Sequence, residues 1–262
     1  ANGRFVLPAN APSGTILLEG GIDLATRQVN TMILKAPVGA TMVNLFTTLV
    51  LTMIDTGVAA TEKQAHDLLF SALKLPQQVT LSVFDPIQAA LHGDPSTQAA
   101  AVAFETKMVE VANLVQVAQA ALTAAQVDPA QAQNAALQAI AKSVVDSART
   151  GIDLSQADTV KTVLEGAVKT AAPTAQQTAL LHSLDKLSPM VAAINAVAEA
   201  AQAAYLSGKV TDPVTTLSDV FKVATLVQGQ VAPAVEKAVT FGGFDSVVDA
   251  YGGHALLRAL SH

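Results

Sequence analysis

From Thr41 onward, apolar residues recur every three or four positions, which is the spacing of one face of an α-helix. Turn and capping residues divide this pattern into segments of helical length. The pattern predicts an all-α fold, a multi-helix bundle of about eight to ten helices. By residue number the predicted segments are 41–55, 61–73, 85–93, 95–125, 129–151, 155–171, 174–208, 213–242, 245–251 and 253–262.

The longest segments carry apolar stripes that must face other helices. In 95–125 the spacing alternates between four and three residues through Phe104, Met108, Val111, Val115, Ala118 and Leu122. In 174–208 a similar stripe continues across Pro189. Because proline lacks the amide that an internal helical residue donates, Pro189 either kinks one continuous helix or divides two stacked ones.

Residues 1–37 follow a different pattern, with short β-type runs separated by proline and glycine. The runs are "GRFVLP", "GTILLEG" and "QVNTMILKAP", and the Gly20-Gly21 pair followed by "DLATRQ" is typical of a turn. We therefore expect a small N-terminal β element at 1–37 and a helical bundle domain at 38–262. The bundle has possible sub-bundles at 38–151 and 174–262.

Asp-Pro pairs occur four times, at Asp85, Asp94, Asp128 and Asp212, each time ahead of an apolar-periodic run. An aspartate at the N-cap accepts hydrogen bonds from free helix amides, and proline suits the first helical position. We interpret the four pairs as helix starts and not as active sites. Thr61 with Gln64, and Thr174 with Gln177, have the spacing of capping boxes.

The composition of the chain limits the classes of function that we expect. The net charge of −6 is spread along the chain without a basic cluster, so we expect no nucleic-acid binding. The absence of cysteine excludes disulfides, thiol catalysis and cysteine-ligated metal. The mean hydropathy is +0.41, but the uncharged run at 36–54 is broken by Pro37, Gly39 and Asn44. Membrane insertion is therefore unexpected, and we predict a buried helix there.

Candidate chemistry is sparse. No nucleotide-binding, hydrolase or calcium-loop motif is present, and Glu105 and Glu110 do not share one helix face. We predict no catalytic residues and no metal site. A histidine could ligate haem or another tetrapyrrole between Ala-rich helices, and the candidate ligands are His66, His92 and His182. The competing interpretation is that these histidines are partly exposed side chains near helix ends.

The segment "GGIDLATRQVNTMILKAPVGATMVNLFTTLVLTMIDTG" resembles a helical module of very large secreted proteobacterial proteins of the repeats-in-toxin and adhesin type. "LKLPQQVTLSVFDPIQAAL" and "VFKVATLVQGQVAPAV" are similar to later parts of that module, and "ANGRFVLP" resembles the last strand of a β module that precedes it. Asn44-Leu45-Phe46 departs from the usual Pro-Leu. The matching positions are Gly20, Gly21, Asp23, Ala36, Pro37, Gly39, Ala40 and Thr47–Val50.

The resemblance implies secretion or a cell-surface location, a giant multi-domain parent and an unidentified protein or cell-surface partner. Its motifs are architectural, so they assign no active residues. Together with the candidate chemistry, the sequence leaves three hypotheses. The first is a non-enzymatic extracellular structural or interaction module. The alternative is a helical carrier that binds an apolar or tetrapyrrole ligand between its helices, and an enzyme of another kind is the third.

Overall fold

The structure, a computed structural model, describes residues 14–261 and is an all-α bundle with a small N-terminal β element. Helices make up 69% of it. Counting the interrupted run 213–241 as one helix, the described range contains ten helices, as the sequence predicts. The bounds are α1 Leu45–Asp55, α2 Glu62–Leu73, α3 Pro86–His92, α4 Pro95–Ala124, α5 Pro129–Asp146, α6 Ala157–Ala171, α7 Thr174–Leu206, α8 Pro213–Leu226, α9 Ala232–Phe241, α10 Phe244–Tyr251 and α11 Gly253–Ala259.

The N-terminal β element is an antiparallel hairpin of β1, Ile16–Leu18, and β2, Leu34–Ala36. A further bridge joins Ile22 to Val29. Gly20 and Gly21 both have positive φ (69° and 85°), a conformation that glycine adopts without steric cost. The predicted hairpin and its turn are thus confirmed, whereas the run "GRFVLP" lies outside the described residues.

All four Asp-Pro pairs begin helices, as predicted. Asp85 and Asp94 accept hydrogen bonds from the amides of Gln88 and Thr97, at 3.0 and 2.8 Å. Asp128 and Asp212 each accept from two amides of the first helical turn. The four caps stand at the starts of α3, α4, α5 and α8, so they do not form one constellation.

Two predicted helix limits and one predicted N-cap differ from the structure, and hydrogen bonds account for each. Helix α1 begins after Asn44, because Asn44 and Thr47 form a reciprocal capping box. Helix α7 has Pro173 and not Thr174 as its N-cap, and Gln177 donates to the carbonyl of Ala172. Helix α5 ends at Asp146, after which the chain turns so that the Ile152 amide donates to Ala72 at 2.8 Å.

Helix α4 is the central element of the bundle, with α1, α3, α5, α6, α7, α8 and α9 packed around it. Its predicted stripe is buried except for the half-buried Met108, but burial extends to the other faces as well, for example at Glu110 and Asn113. The stripe predicted from the sequence is therefore only part of the buried surface of α4. A helix enclosed by neighbours buries whatever side chains it carries.

Two prolines act differently within their helices. Helix α7 continues through Pro189, so this region is one helix and not two stacked ones. The predicted continuous helix 213–242 instead contains a π-turn, Val227–Val231, between α8 and α9. There the Ala232 amide donates five residues back to Val227, just before Pro233, whose ring would crowd the carbonyl of Gly229 in a regular helix.

The main hydrophobic core is continuous from Leu45 in α1 to Leu256 in α11 and includes residues from both possible sub-bundles. Side-chain hydrogen bonds attach the hairpin to it. Thr48 of α1 accepts from the Lys35 amide at 2.8 Å, and Gln133 of α5 bonds to the backbone of Ile33. The hairpin is thereby fixed against the helices and faces α4 across a cavity.

Candidate functional site

A cavity of about 590 Å³ lies between the hairpin and α4, bordered by the start of α3 and the end of α8. Its volume is in the range of small-molecule binding sites, about 300–1,000 Å³. Most of its wall is apolar and flexible, including three methionines, which adapt easily to the shape of a guest. The apolar lining includes Leu24, Met32, Leu34, Met42, Val43, Leu45, Ile87, Phe104, Met108, Val109, Ala112 and Phe221.

Glu105 of α4 is the polar group that defines this cavity. The residue is 6% exposed, and its Oε2 is buried without a hydrogen-bond partner in the described structure. Burial raises the pKa of Glu105 to about 8, and the negative charges of Asp23 and Asp85 contribute to the rise. At neutral pH Glu105 therefore holds a proton, as expected for a carboxyl removed from water.

Asp23 and Asp85 also line the cavity, but each is already engaged locally. Asp85 caps α3, and Asp23 accepts from the Ala25 amide at 2.9 Å within the hairpin loop. Among the described residues that form the wall, there is no lysine, arginine or histidine. The cavity thus carries three carboxyl groups without a side-chain cation to balance them.

A second unpaired polar atom lies farther along the same face of α4. Gln116 lines the cavity, and its Oε1 is buried without a partner in the part of the chain that the structure describes. With a rise of about 1.5 Å per residue, the backbone positions of Glu105 and Gln116 are about 16 Å apart along the helix axis. Met108, Val109 and Ala112 lie between them, so the cavity is elongated, with an apolar middle.

The hairpin loop and the π-turn meet at the cavity. The hydroxyl of Thr26 donates to Oε1 of Gln228 at 3.0 Å, and Nε2 of Gln228 donates to the carbonyl of Val29 at 2.9 Å. Gln228 belongs to the π-turn and lines the cavity, as does Leu24 of the hairpin loop, which is 82% exposed. These two hydrogen bonds attach the hairpin loop to this side of the bundle.

The predicted tetrapyrrole ligands lie elsewhere. His66 of α2 is half-buried and stacks on Phe70 with ring centroids 3.9 Å apart. His92 is exposed in the last turn of α3, and His182 is exposed on α7. The three are on different helices and none lines the cavity. Ligation of a tetrapyrrole by one of them stays a prediction.

A partly buried ionic cluster joins α4 to α7. Lys107 donates to both carboxylate oxygens of Glu110, at 3.1 and 2.9 Å, and also binds Glu199 of α7. Burial raises the pKa of Glu110 to about 8 against the opposing effect of Lys107. Nearby, Nδ2 of Asn113 donates to Oδ1 of Asn195 at 2.9 Å. Since each charged group here has a partner within the cluster, we assign it a structural role.

Sequence reasoning missed both Glu105 and this cluster. It considered Glu105 and Glu110 only as a pair, and the correct conclusion that they face different directions hid the fact that both are buried. A signal was present, because α4 has only three charged residues in its 30 positions and all three lie within 105–110. An isolated charged group within a long uncharged helix is a candidate for burial.

Between Gly14 and Ser261, no helix is both long enough and apolar enough to cross a membrane. No cluster of three or more His, Cys, Asp or Glu side chains in this range is arranged to hold a metal ion. No protein-family model, curated protein or solved structure matches the chain. The cavity and its buried carboxyl are therefore the features on which a functional proposal can rest.

Proposed function

We propose that this bundle is a non-enzymatic binding module that takes a small, mostly apolar molecule into the cavity over α4. The observation that carries the proposal is Glu105, a carboxyl held without a partner against an apolar wall. Burying a polar group in this way is unfavourable for folding, and a guest molecule that bonds to Oε2 would remove the penalty. An elongated, methionine-rich wall suits a flexible apolar guest.

This proposal keeps the apolar ligand of the carrier hypothesis but does not include a tetrapyrrole ligated by histidine. The apolar ligand is supported by the lining of the cavity, whereas ligation by His66, His92 or His182 gains no support from it. The guest is therefore held by shape, apolar contact and one hydrogen-bonding group, and not by a coordinate bond.

The test is binding of 1-decanol, measured by isothermal titration calorimetry below its solubility limit. Ala112 is half-buried in the wall, so Ala112→Leu fills part of the cavity while keeping a good helix former. We expect one molecule bound per chain and an affinity loss of at least about tenfold in this variant. Ala203→Leu, at an exposed position of α7, is the matched control and binds as the wild type does. Absence of binding to the wild type, or unchanged binding in Ala112→Leu, would refute the proposal.

For the wider context, we propose a module of a very large secreted or cell-surface bacterial protein. The support is the resemblance at 20–57, whose residues have architectural roles in this structure. Ala36 is fully buried, Gly39 has a positive φ of 84°, and Thr47 belongs to the capping box of α1. Brief protease treatment of intact cells that make the full gene product, followed by mass spectrometry, tests this. Peptides from 157–241 are expected in the surface or medium fraction, and their confinement to the cytoplasm would contradict it.

A further inference from the structure

We propose that the cavity selects a cationic amphiphile, a molecule whose protonated amine pairs with Glu105 while its apolar body lies along α4. This inference rests on the proposed function and adds the chemical class of the guest. It follows from the charges of the wall, since carboxyl groups come from three separate elements: the hairpin loop, the start of α3 and α4 itself.

The charged groups that face Glu105 favour a cation. Asp23 faces it from the hairpin and Asp85 from α3. On the side of α8, the lining residues Phe221, Ala224 and Gln228 are uncharged. On α4 the nearest cation, Lys107, is bound to Glu110 and Glu199. A guest ammonium would therefore be the charge partner that Glu105 lacks, whereas a guest carboxylate would meet like charges.

Pairing with an ammonium requires Glu105 to lose its proton. Because the pKa of Glu105 is raised to about 8 in the free protein, binding at pH 7 releases a proton to the solvent. At pH 9 the carboxyl is already ionised and no proton is released. The affinity for an amine consequently rises between pH 6 and about pH 8 and levels off above it. A neutral guest of the same length shows the opposite trend or none, because it gains nothing from the charged form.

The decisive experiment compares three probes with one apolar body: decylammonium, 1-decanol and decanoate. Each is titrated calorimetrically into the full chain at pH 7 and pH 9, the two ionic probes below their critical micelle concentrations and decanol below its solubility limit. We expect decylammonium to bind at least about tenfold more tightly than decanoate. Repeating the pH 7 titration in buffers of different ionisation enthalpy should show about one proton released per decylammonium bound.

Glu105→Gln provides the matched variant, with Glu236→Gln on the exposed side of α9 as its control. We expect Glu105→Gln to weaken decylammonium by about tenfold or more, to abolish proton release, and to bind decanol nearly as before. Retained decanol binding also shows that this variant is folded. Glu236→Gln should behave as the wild type with all three probes.

The outcomes separate the two proposals. If decanol binds at the cavity but decylammonium binds no better than decanoate, the binding function stands and the charge preference is overturned. If Glu105→Gln leaves decylammonium affinity and proton release unchanged, the assignment of Glu105 is overturned. If none of the three probes binds, both the function and the ligand class are overturned.

Discussion

Gln133 pairs with both backbone groups of Ile33, accepting from its amide at 2.8 Å and donating to its carbonyl at 2.7 Å. The side-chain amide thus imitates a neighbouring strand, 100 residues away in the chain. Gln133 is 2% exposed, so water cannot replace it easily. Through this contact, α5 holds the hairpin in the position that encloses the cavity.

Gln133→Ala should lower the free energy of unfolding by about 2–3 kcal/mol, because two hydrogen bonds are lost and two partly buried backbone groups are left unpaired. Chemical denaturation followed by circular dichroism measures this. Gln131→Ala, on the exposed face of the same helix, should change it by less than about 0.5 kcal/mol. Equal effects of the two substitutions would show that the pairing with Ile33 does not stabilise the fold.

The raised pKa of Glu105 predicts that stability depends on pH. The ordinary pKa of a glutamate carboxyl is 4.5, and the pKa of Glu105 in the folded chain is about 8. Between these two pH values the folded state therefore binds more protons than the unfolded state. The free energy of unfolding should therefore fall as the pH rises from 4.5 to 8 and then change little. Glu105→Gln removes the part of this dependence that Glu105 contributes, whereas the part from Glu110, whose pKa is also raised to about 8, remains.

The variant should thus be close to the wild type in stability at pH 5 and more stable than it, by several kcal/mol, at pH 9. Urea denaturation at the two pH values provides the comparison. Glu236→Gln, an exposed position, should follow the wild type throughout. A Glu105→Gln variant that is equally destabilised at both pH values would mean that the carboxyl is not buried as described.

The two hydrogen bonds of Gln228 predict that the hairpin loop is released when they are removed. In Gln228→Ala, the amides of Asp23 and Asn30, which bond within the loop to Gln28 and Gly21, should exchange with deuterium faster. Hydrogen exchange with mass spectrometry measures this directly. Gln230→Ala lies in the same π-turn but is exposed, and it serves as the control. Unchanged exchange in Gln228→Ala would contradict an attachment through this residue.

The Asp-Pro interpretation predicts a difference between alanine and asparagine at a cap. Asp128 accepts from the amides of Ala130 and Gln131 at 3.0 and 3.1 Å. Asp128→Ala should lower the thermal midpoint and cost about 1 kcal/mol, whereas Asp128→Asn should retain most of the stability because its carbonyl oxygen still accepts. Similar losses for both substitutions would indicate that the charge, and not the hydrogen bonds, matters at this helix start.

Local signals allowed much of the fold to be predicted. The Asp-Pro caps, the Gly20-Gly21 turn and the apolar spacing depend on residues close together in the chain, and the structure confirms them. The N-cap of α7 was mispredicted because Thr174 has the right spacing to Gln177 but is preceded by Pro173, which takes the cap position. Such competition between neighbouring caps is decided by the surrounding packing.

The candidate site could not be predicted in the same way. Its wall combines Met32, Phe104 and Phe221, which are far apart in the chain and meet only after the bundle has assembled. The burial of Glu105 depends on how many neighbours surround α4, and periodicity within one helix reports one face at a time. The spacing of apolar residues does not predict the position of the hairpin. The hairpin is held beside Glu105 by its contacts with α1, α5 and the π-turn.

The bond between Asn113 and Asn195 has a consequence for how α4 and α7 are aligned. Alanine and valine side chains form only shallow ridges on a helix surface. Two alignments of α4 and α7 that differ by one helical turn, about 5.4 Å, would therefore bury similar apolar areas. Asn195 also donates to the Leu154 carbonyl at 2.9 Å, so its amide bridges two elements at one height. If α7 were shifted by one turn, these side-chain amides would lie among aliphatic side chains without hydrogen-bond partners. The polar pair thus selects one alignment out of several that hydrophobic burial alone leaves nearly equal.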